Sequence, residues 1–420
     1  MNMSKGRWRL SRLMRQIWVP VALMGVLALV TALGAAVIGR ALPEGAVTKI
    51  GADAVLTILQ IIASSMLAVT TFSLSIMVSA FGSAASGATP RALALLQSDR
   101  TTQRVLACFI GAFVYAIVGI IALQTRIYGE AGRFVLFVVT LGVIALVIGM
   151  LLRWVQHLTV FGLLSDTISR VERAAAAAIA ERAADPRLGC ARWQQVPPGA
   201  FEVRAARTGH VQHLDTAQLQ AVAARQGCRI WVLAEPGSFV HPARALLACD
   251  ALPGDAEARR ALEEALRAAF TIAHARSHDQ DPRFGLITLA EIASRALSPA
   301  VNDPGTALDI LSRLARVLGE WRPAPLPELR HDRVFLAELA PEALLRDAFH
   351  AIGRDGAAMI EVALRLQQVL AALAAIAPRD FAPAAAVQAH RAAEFAAAAL
   401  LLEEDRARIA ALAERTAQGA

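Results

Sequence analysis

Apolar residues fill four long stretches in the first third of the chain: Ile17–Ile38, Ala54–Phe81, Val105–Gln124 and Phe134–Val155. Their interiors hold no acidic or basic residue, Arg153 standing near the end of the last. A helix crosses a bilayer with roughly 20 apolar residues, so the pattern predicts four transmembrane helices. Beyond them the pattern changes twice. Phe201–Asp250 reads as short strands, GHVQHLD, CRIWVLAEPGSFV and ALLACD, around a small helix at Thr216–Gln226 and a Pro236-Gly237 turn. From Asp255 onward apolar residues recur at helical spacing, over Asp255–His274, Pro282–Ala296, Pro304–Leu318, Glu342–Ala377 and Pro383–Ala417, with one short strand at Arg333–Glu338. The predicted class is a mostly α membrane protein, with four transmembrane helices followed by a small β barrel-like module and a cytosolic helical domain. The predicted segments are a basic tail at 1–16, the membrane domain at 17–157, a connecting helix and linker at 158–198, the β module at 199–252 and the helical domain at 253–420. The fourth span is expected to run on as a helix through Ser165–Ala184. The strand pattern resembles a barrel or hammerhead of the biotinyl-lipoyl kind without the lysine that such carriers modify.

The second span differs from the others. Thr57, Gln60, Ser64, Thr71, Ser75, Ser79 and Gly82 recur at steps that place them on one side of a helix, with Ala68 filling the gap. Two readings stand. Small residues let membrane helices approach closely, which makes the stripe a packing seam. Uncharged hydroxyls can also line a pore or substrate path. Acidic residues and histidines are missing from the spans, which argues against a proton-coupled pump but not against a passive pore. Gly111, Gly119, Gly142 and Gly149 read as further close-packing positions.

Charge adds orientation. The net charge is +7, and Lys5 and Lys49 are the only lysines. This excludes a phosphate-loop lysine, a Schiff base and a lipoyl or biotinyl attachment in the soluble part. Lys5, Arg7, Arg9, Arg12 and Arg15 crowd the N-terminus beside the first span. Such a segment meets anionic headgroups and stays on the cytoplasmic side. With four spans, both termini are expected in the cytoplasm of a bacterial inner membrane. Trp18 and Trp154 fit interfacial anchors. No recognition motif accompanies the charge, so no nucleic-acid partner is expected. Cys108, Cys190, Cys228 and Cys249 are widely spaced, which reads as reduced thiols and not a disulfide framework.

The densest polar run of the soluble part is His274–Thr306. Asp281-Pro282 and Asp303-Pro304 are helix starts, Asp as cap and Pro in the first turn. Glu291 and Arg295 are four apart on one helix face. Arg276, Gln280, Asp281, Glu291, Arg295, Asn302 and Asp303 form a candidate polar pocket for a small ligand or a neighbouring subunit. His274 and His278, or His210 and His213, supply too few ligands for a zinc site, so no metal is expected. No cofactor is expected either.

Gln280-Asp281, Phe284-Gly285, Glu291-Ile292-Ala293, Arg295–Pro299 and Asn302-Asp303-Pro304 resemble the signature of an uncharacterised bacterial family of predicted membrane proteins, domain of unknown function 2254. The front end is similar to the same family through Ile62–Met66, Phe72-Ser73, Pro90-Arg91, Asp99, Gln103 and Phe113–Tyr115. Ala300 and Ser277 depart from the pattern, which has Gly and Thr at those places. The resemblance implies an inner-membrane protein with a cytosolic C-terminal region, and it brings no catalytic residue. Together these readings lead to an oligomeric, channel-like or transport-related protein in the lipid bilayer, with a cytosolic regulatory part. The alternative is a membrane-anchored scaffold or receptor whose cytosolic helices bind a partner protein. No nucleophile, zinc or phosphate motif supports an enzyme.

Overall fold

The computed structural model describes residues 52–420 except 98, 126–129, 252, 323–327 and 420, together with scattered helical positions between 18 and 34. The basic tail and most of the expected first span, Ile17–Ile38, lie outside the described residues. The chain divides into two compact units, with the boundary between Thr167 and Ile168.

The first unit is helical. It contains α1 (Ala52–Gly87), α2 (Pro90–Gln97), α3 (Arg100–Gln124) and α4 (Glu130–Leu158). Three helices, not the expected four, are long and apolar enough to cross a membrane among the described residues: α1, α3 and α4. The α3 helix lies at the centre and packs on both others. Val55, Leu59, Ile62, Ala63 and Met66 of α1 form one core with Val105, Phe109, Ala112, Tyr115 and Ala116 of α3. Gly119 is a close-packing position, since a Cβ there would stand 3.0 Å from Leu59. At Gly142 and Gly149 a Cβ would meet nothing within 4 Å among the described residues. Trp154 is no interfacial anchor here. It is 2% exposed, inside the helix core.

At the base of α4 the expected continuous helix is broken. Residues 159–163 turn, and Gly162 has φ +83. A Cβ at Gly162 would meet the Ala80 Cβ at 2.6 Å, so the chain reverses tightly against α1. The α5 helix then runs from Leu164 to Ala184.

The second unit has two sheets and a helical bundle. Its strands are β1 (Cys190–Arg192), β2 (Phe201–Arg204), β3 (Gly209–Leu214), β4 (Ile230–Val232), β5 (Phe239–Val240), β6 (Ala245–Cys249), β7 (Phe270–Ala273) and β8 (His331–Leu336). Between them lie α6 (Thr216–Gln226) and α7 (Ala256–Ala268). The sheets run β1-β8-β4-β6-β2 and β5-β3-β7. Neither closes into the expected barrel, because β1 and β2 stand at opposite edges of the larger sheet. Nor is the β module confined to 199–252. The β8 strand, far along the chain, inserts in parallel between β1 and β4, and β7 pairs with β3. The expected helix Asp255–His274 therefore stops at Ala268, where the chain turns into β7.

The bundle follows with α8 (Pro282–Ala296), α9 (Pro304–Gly319), α10 (Pro341–Asp355), α11 (Ile360–Ile376), α12 (Pro378–Ala399) and α13 (Glu403–Gln418). The two long C-terminal helices expected from the pattern are four. One break falls at Gly356, where Val362 packs so closely that a Cβ would meet it at 2.5 Å. The other falls at Leu400–Leu402, whose Leu400 and Leu401 carbonyls accept from the Arg406 guanidinium.

Candidate functional site

The Asp-Pro signals do what their chemistry predicts. Asp281 accepts from the Phe284 amide at 3.2 Å and so caps α8, while Asp303 accepts from the Thr306 amide at 3.0 Å and caps α9. The seven polar residues of the candidate pocket fall into two groups at opposite ends of α8. Asp281 and Glu291, the nearest members of the two groups, stand ten residues apart along the helix, roughly 15 Å.

At the N-terminal end, Arg276 grips Asp281 bidentately, Nε to Oδ2 at 2.7 Å and Nη2 to Oδ1 at 3.0 Å. Asp281 is 1% exposed. Gln280 acts like a strand residue: its Oε1 accepts from the Leu214 amide at 2.8 Å. The Gln280 carbonyl accepts from Arg182 of α5 at 3.2 Å. Gly237, at φ +93, lies against the Asp281 carboxylate, and a Cβ would meet Oδ2 at 2.5 Å. Only glycine allows that turn to approach so near. Arg182 faces Glu235 of the same turn at 3.9 Å, and Arg283 grips Asp347 of α10.

Burial raises the Asp281 carboxyl above the usual range, with Arg276 opposing it. Burial likewise raises Glu235, opposed by Arg182 and Arg283, and lowers the Arg182 guanidinium. His278 is pushed down to about 4 by burial, its ring 4.5 Å from Phe284. The Asp281 oxygens are occupied by the Arg276 guanidinium and the cap amide, and the bonds around them tie the start of α8 to α5, to the end of β3, to the 235–237 turn and to α10. Sequence reasoning missed Arg182, Glu235, Gly237 and Asp347. Only the Pro-Gly turn carried a local signal.

At the other end of α8, Arg295 and Asn302 are exposed and Glu291 is half-buried. Among the described residues no three His, Cys, Asp or Glu side chains converge as a metal site.

In the membrane unit the geometry of the second-span stripe is simple. Thr57, Gln60, Ser64, Ala68, Thr71, Ser75, Ser79 and Gly82 are all exposed. The face of α1 that packs on α3 is the apolar one. Thr57, Ser64, Thr71 and Ser75 donate to carbonyls one turn back, at 2.8–3.1 Å. Each hydroxyl is thereby satisfied without leaving its helix. Exposed Ile61, Leu67, Phe72, Leu74 and Val78 flank the stripe.

Residues 14–372 match the family described as "Predicted membrane protein (DUF2254)". The chain belongs to this family. Two of its relatives are an uncharacterized protein of Mycobacterium bovis and one of Mycobacterium tuberculosis strain H37Rv. Each is 27% identical over 290 residues, covering 66% of this chain and 54% of the relative. The chain thus spans about half the length of the curated relatives it matches. No solved structure matches it.

Within this DUF2254 protein, the RALSP–NDP run is a joint between α8 and α9. The Asn302 amide donates to the Ser298 carbonyl at 2.8 Å, and the Asp303 amide to the Ala296 carbonyl at 2.8 Å. Asn302 takes φ +49, a conformation that Asn tolerates better than most residues. Asp99 of the front-end pattern caps α3, and its Oδ2 lies 2.9 Å from His157 Nε2 of α4. These DUF2254 motif residues thus account for themselves as caps and joints.

Proposed function

We propose that this protein is an inner-membrane assembly of identical subunits in which the hydroxyl stripe of α1 meets its copies around a passive path for small solutes or ions. The observation that carries this reading is the outward exposure of every stripe residue while the opposite face of α1 is used against α3. A seam inside one subunit would be buried. Small and hydroxyl residues suit both close subunit contact and a wetted wall. With the Ile17–Ile38 run counted beside α1, α3 and α4, an even number of crossings would put both termini on one side, the cytoplasmic one by the basic residues before Ile17, and the sheets and bundle would serve as the regulatory part.

Two measurements test it. Ser64→Cys and Ser75→Cys variants in native membranes should cross-link between subunits, and purified protein in liposomes should release a trapped small ion or solute. Ser75→Leu should reduce that release several-fold. A monomer that neither cross-links nor releases any solute overturns the proposal.

The scaffold reading is favoured by one feature. Leu401 and Leu402, between α12 and α13, are 90% and 65% exposed, an apolar pair suited to a partner protein. Under that reading the spans only anchor, and Ser75→Leu leaves partner capture unchanged.

A further inference from the structure

The arginines of the two units differ in what they hold. In residues 168–420, Arg229, Arg276, Arg283, Arg313 and Arg330 each pair with a carboxylate of their own unit. In the helical unit Arg100, Arg104 and Arg153 are exposed, and none of them has a hydrogen bond or an ion pair with a described residue. Composition supplies the reason. Between residues 52 and 167 the acidic residues are Asp53, Asp99, Glu130 and Asp166. Asp53 and Glu130 stand at the starts of α1 and α4, the far end of the helices from Arg100. Asp99 is taken up by the Thr102 amide and hydroxyl, at 2.8 and 2.7 Å, and by His157 at 2.9 Å. Asp166 opens α5 and has a partner of its own.

The Asp99–His157 contact also sets the height of the three guanidiniums, because it brings the start of α3 level with the end of α4. Arg100 stands beside Asp99. Arg104 lies five residues along α3 from Asp99, and Arg153 lies four residues back along α4 from His157. At the rise of a helix both are roughly 6–8 Å in from that end. All three fall within the apolar spans Arg100–Gln124 and Gly132–Leu158. Beside Arg153, Leu152 and Val155 are 68% and 56% exposed. A guanidinium without a carboxylate is costly among acyl chains. Its aliphatic stem lets it lean out to the headgroup layer, which is roughly 5–7 Å thick on each side of the hydrocarbon.

We infer that Arg100, Arg104 and Arg153 form a belt that binds the phosphates of anionic phospholipids around this end of the helices. The guanidinium fork matches two phosphate oxygens and supplies the charge that no carboxylate of the chain balances. Arg100 and Arg104 are one turn apart and share a face of α3, close enough for one headgroup to meet both. Arg153, on α4, takes another. A zwitterionic lipid offers the same phosphate but adds an ammonium group, which the belt repels, so the preference is for a headgroup with net negative charge. The belt is independent of the α1 stripe: it needs only that the helices lie in a bilayer.

The test titrates the intact detergent-purified protein with phosphatidylglycerol or with phosphatidylcholine of the same acyl chains and counts bound lipids by native mass spectrometry. Wild type should retain several-fold more phosphatidylglycerol than phosphatidylcholine, and added salt should shrink that excess. The variant carrying Arg100→Gln, Arg104→Gln and Arg153→Gln should lose the excess several-fold and bind phosphatidylcholine as before. Arg259→Gln, at an exposed arginine of α7, should change neither. If circular dichroism shows the triple variant unfolded, Arg104→Gln and Arg153→Gln alone decide, and each should lose part of the excess. The belt is ruled out if wild type shows no preference, or if the folded variants keep the wild-type excess. It is also ruled out if inorganic phosphate at matched ionic strength removes the excess, which would mark a site for free anions. None of these readings involves solute release, so their failure leaves the α1 path standing, and a protein that releases nothing can still hold the lipid.

Discussion

Asp281 and Asp303 carry the same local signal, an Asp before a Pro, yet they do different work. Asp303 is half-buried and its carboxylate accepts from Thr306, through the amide and through the hydroxyl at 2.6 Å. Those bonds, the hydroxyl's first, hold its carboxyl below the usual range. Its folded value lies below the unfolded one, so its contribution is complete above the ordinary Asp pKa and is lost as pH falls through the folded value. Asp303→Ala should therefore cost about 1 kcal/mol near neutrality, the usual worth of a cap. The gap from wild type should shrink as pH falls below the ordinary Asp range and through the folded value. Thermal unfolding of both proteins across that range checks this. Asp281 is also a cap, but it is buried and holds Arg276. Asp281→Ala leaves that guanidinium unpaired in a dry site and should cost about 3–5 kcal/mol, as breaking buried pairs does. Its carboxyl is shifted upward, so its pH dependence has the opposite sense and fades as pH rises through the folded value. Equal losses in the two variants would show that the clamp around Gly237 adds nothing to the cap.

At the scale of elements, what the sequence disclosed was local. The helix Thr216–Gln226 has the bounds its pattern predicts, and the Asp-Pro starts of α8 and α9 stand where they were expected. What stayed hidden was non-local. Nothing near His331–Leu336 indicates that it enters a sheet in parallel beside β4, a hundred residues earlier in the chain. Nothing in the spacing of Gly142 and Gly119 says that, among the described residues, only Gly119 has a leucine against it. Nor could periodicity alone say which way the α1 stripe points, because a seam and an exposed face share the same repeat. Gly285 is another case. It reads as an unremarkable helical glycine, yet a Cβ there would overlap the Ala175 Cβ and sit 2.8 Å from its Cα. The α5 and α8 helices touch backbone to backbone at that point. Gly285→Ala should thus destabilise by about 1–3 kcal/mol, the range for overpacking, even though Ala favours helices. Ala175→Gly in the same protein should recover part of that loss, since the clash is with Ala175 itself. A double-mutant cycle by denaturant unfolding measures the coupling. Strict additivity would mean that the helices already stand further apart than the contact implies.

The division of the whole chain at Thr167/Ile168 separates two kinds of core. In residues 9–167 the packed interior is one side of apolar helices, and Phe72, Val78, Ile148, Leu152 and Val155 remain 53–68% exposed. Such a surface suits acyl chains or another apolar protein face and not water. In residues 168–420 one buried core joins both sheets with α6 and α7, the bundle helices bury apolar residues of their own, and the exposed faces are rich in Arg, Asp and Glu. Its ion pairs close within the unit too: Glu172 of α5 takes Arg313 and Arg316 of α9, and Arg283 takes Asp347. A unit with its own core and satisfied charges folds alone. A fragment beginning at Leu164, so that α5 is whole, should therefore be soluble without detergent and melt in a single cooperative transition. The complementary fragment should pellet with membranes. Circular dichroism and sedimentation of the two fragments decide the matter. If the Leu164–Ala420 fragment aggregates or shows no cooperative melt, the soluble unit depends on the apolar helices for its fold, and a regulatory part that can change state by itself is ruled out.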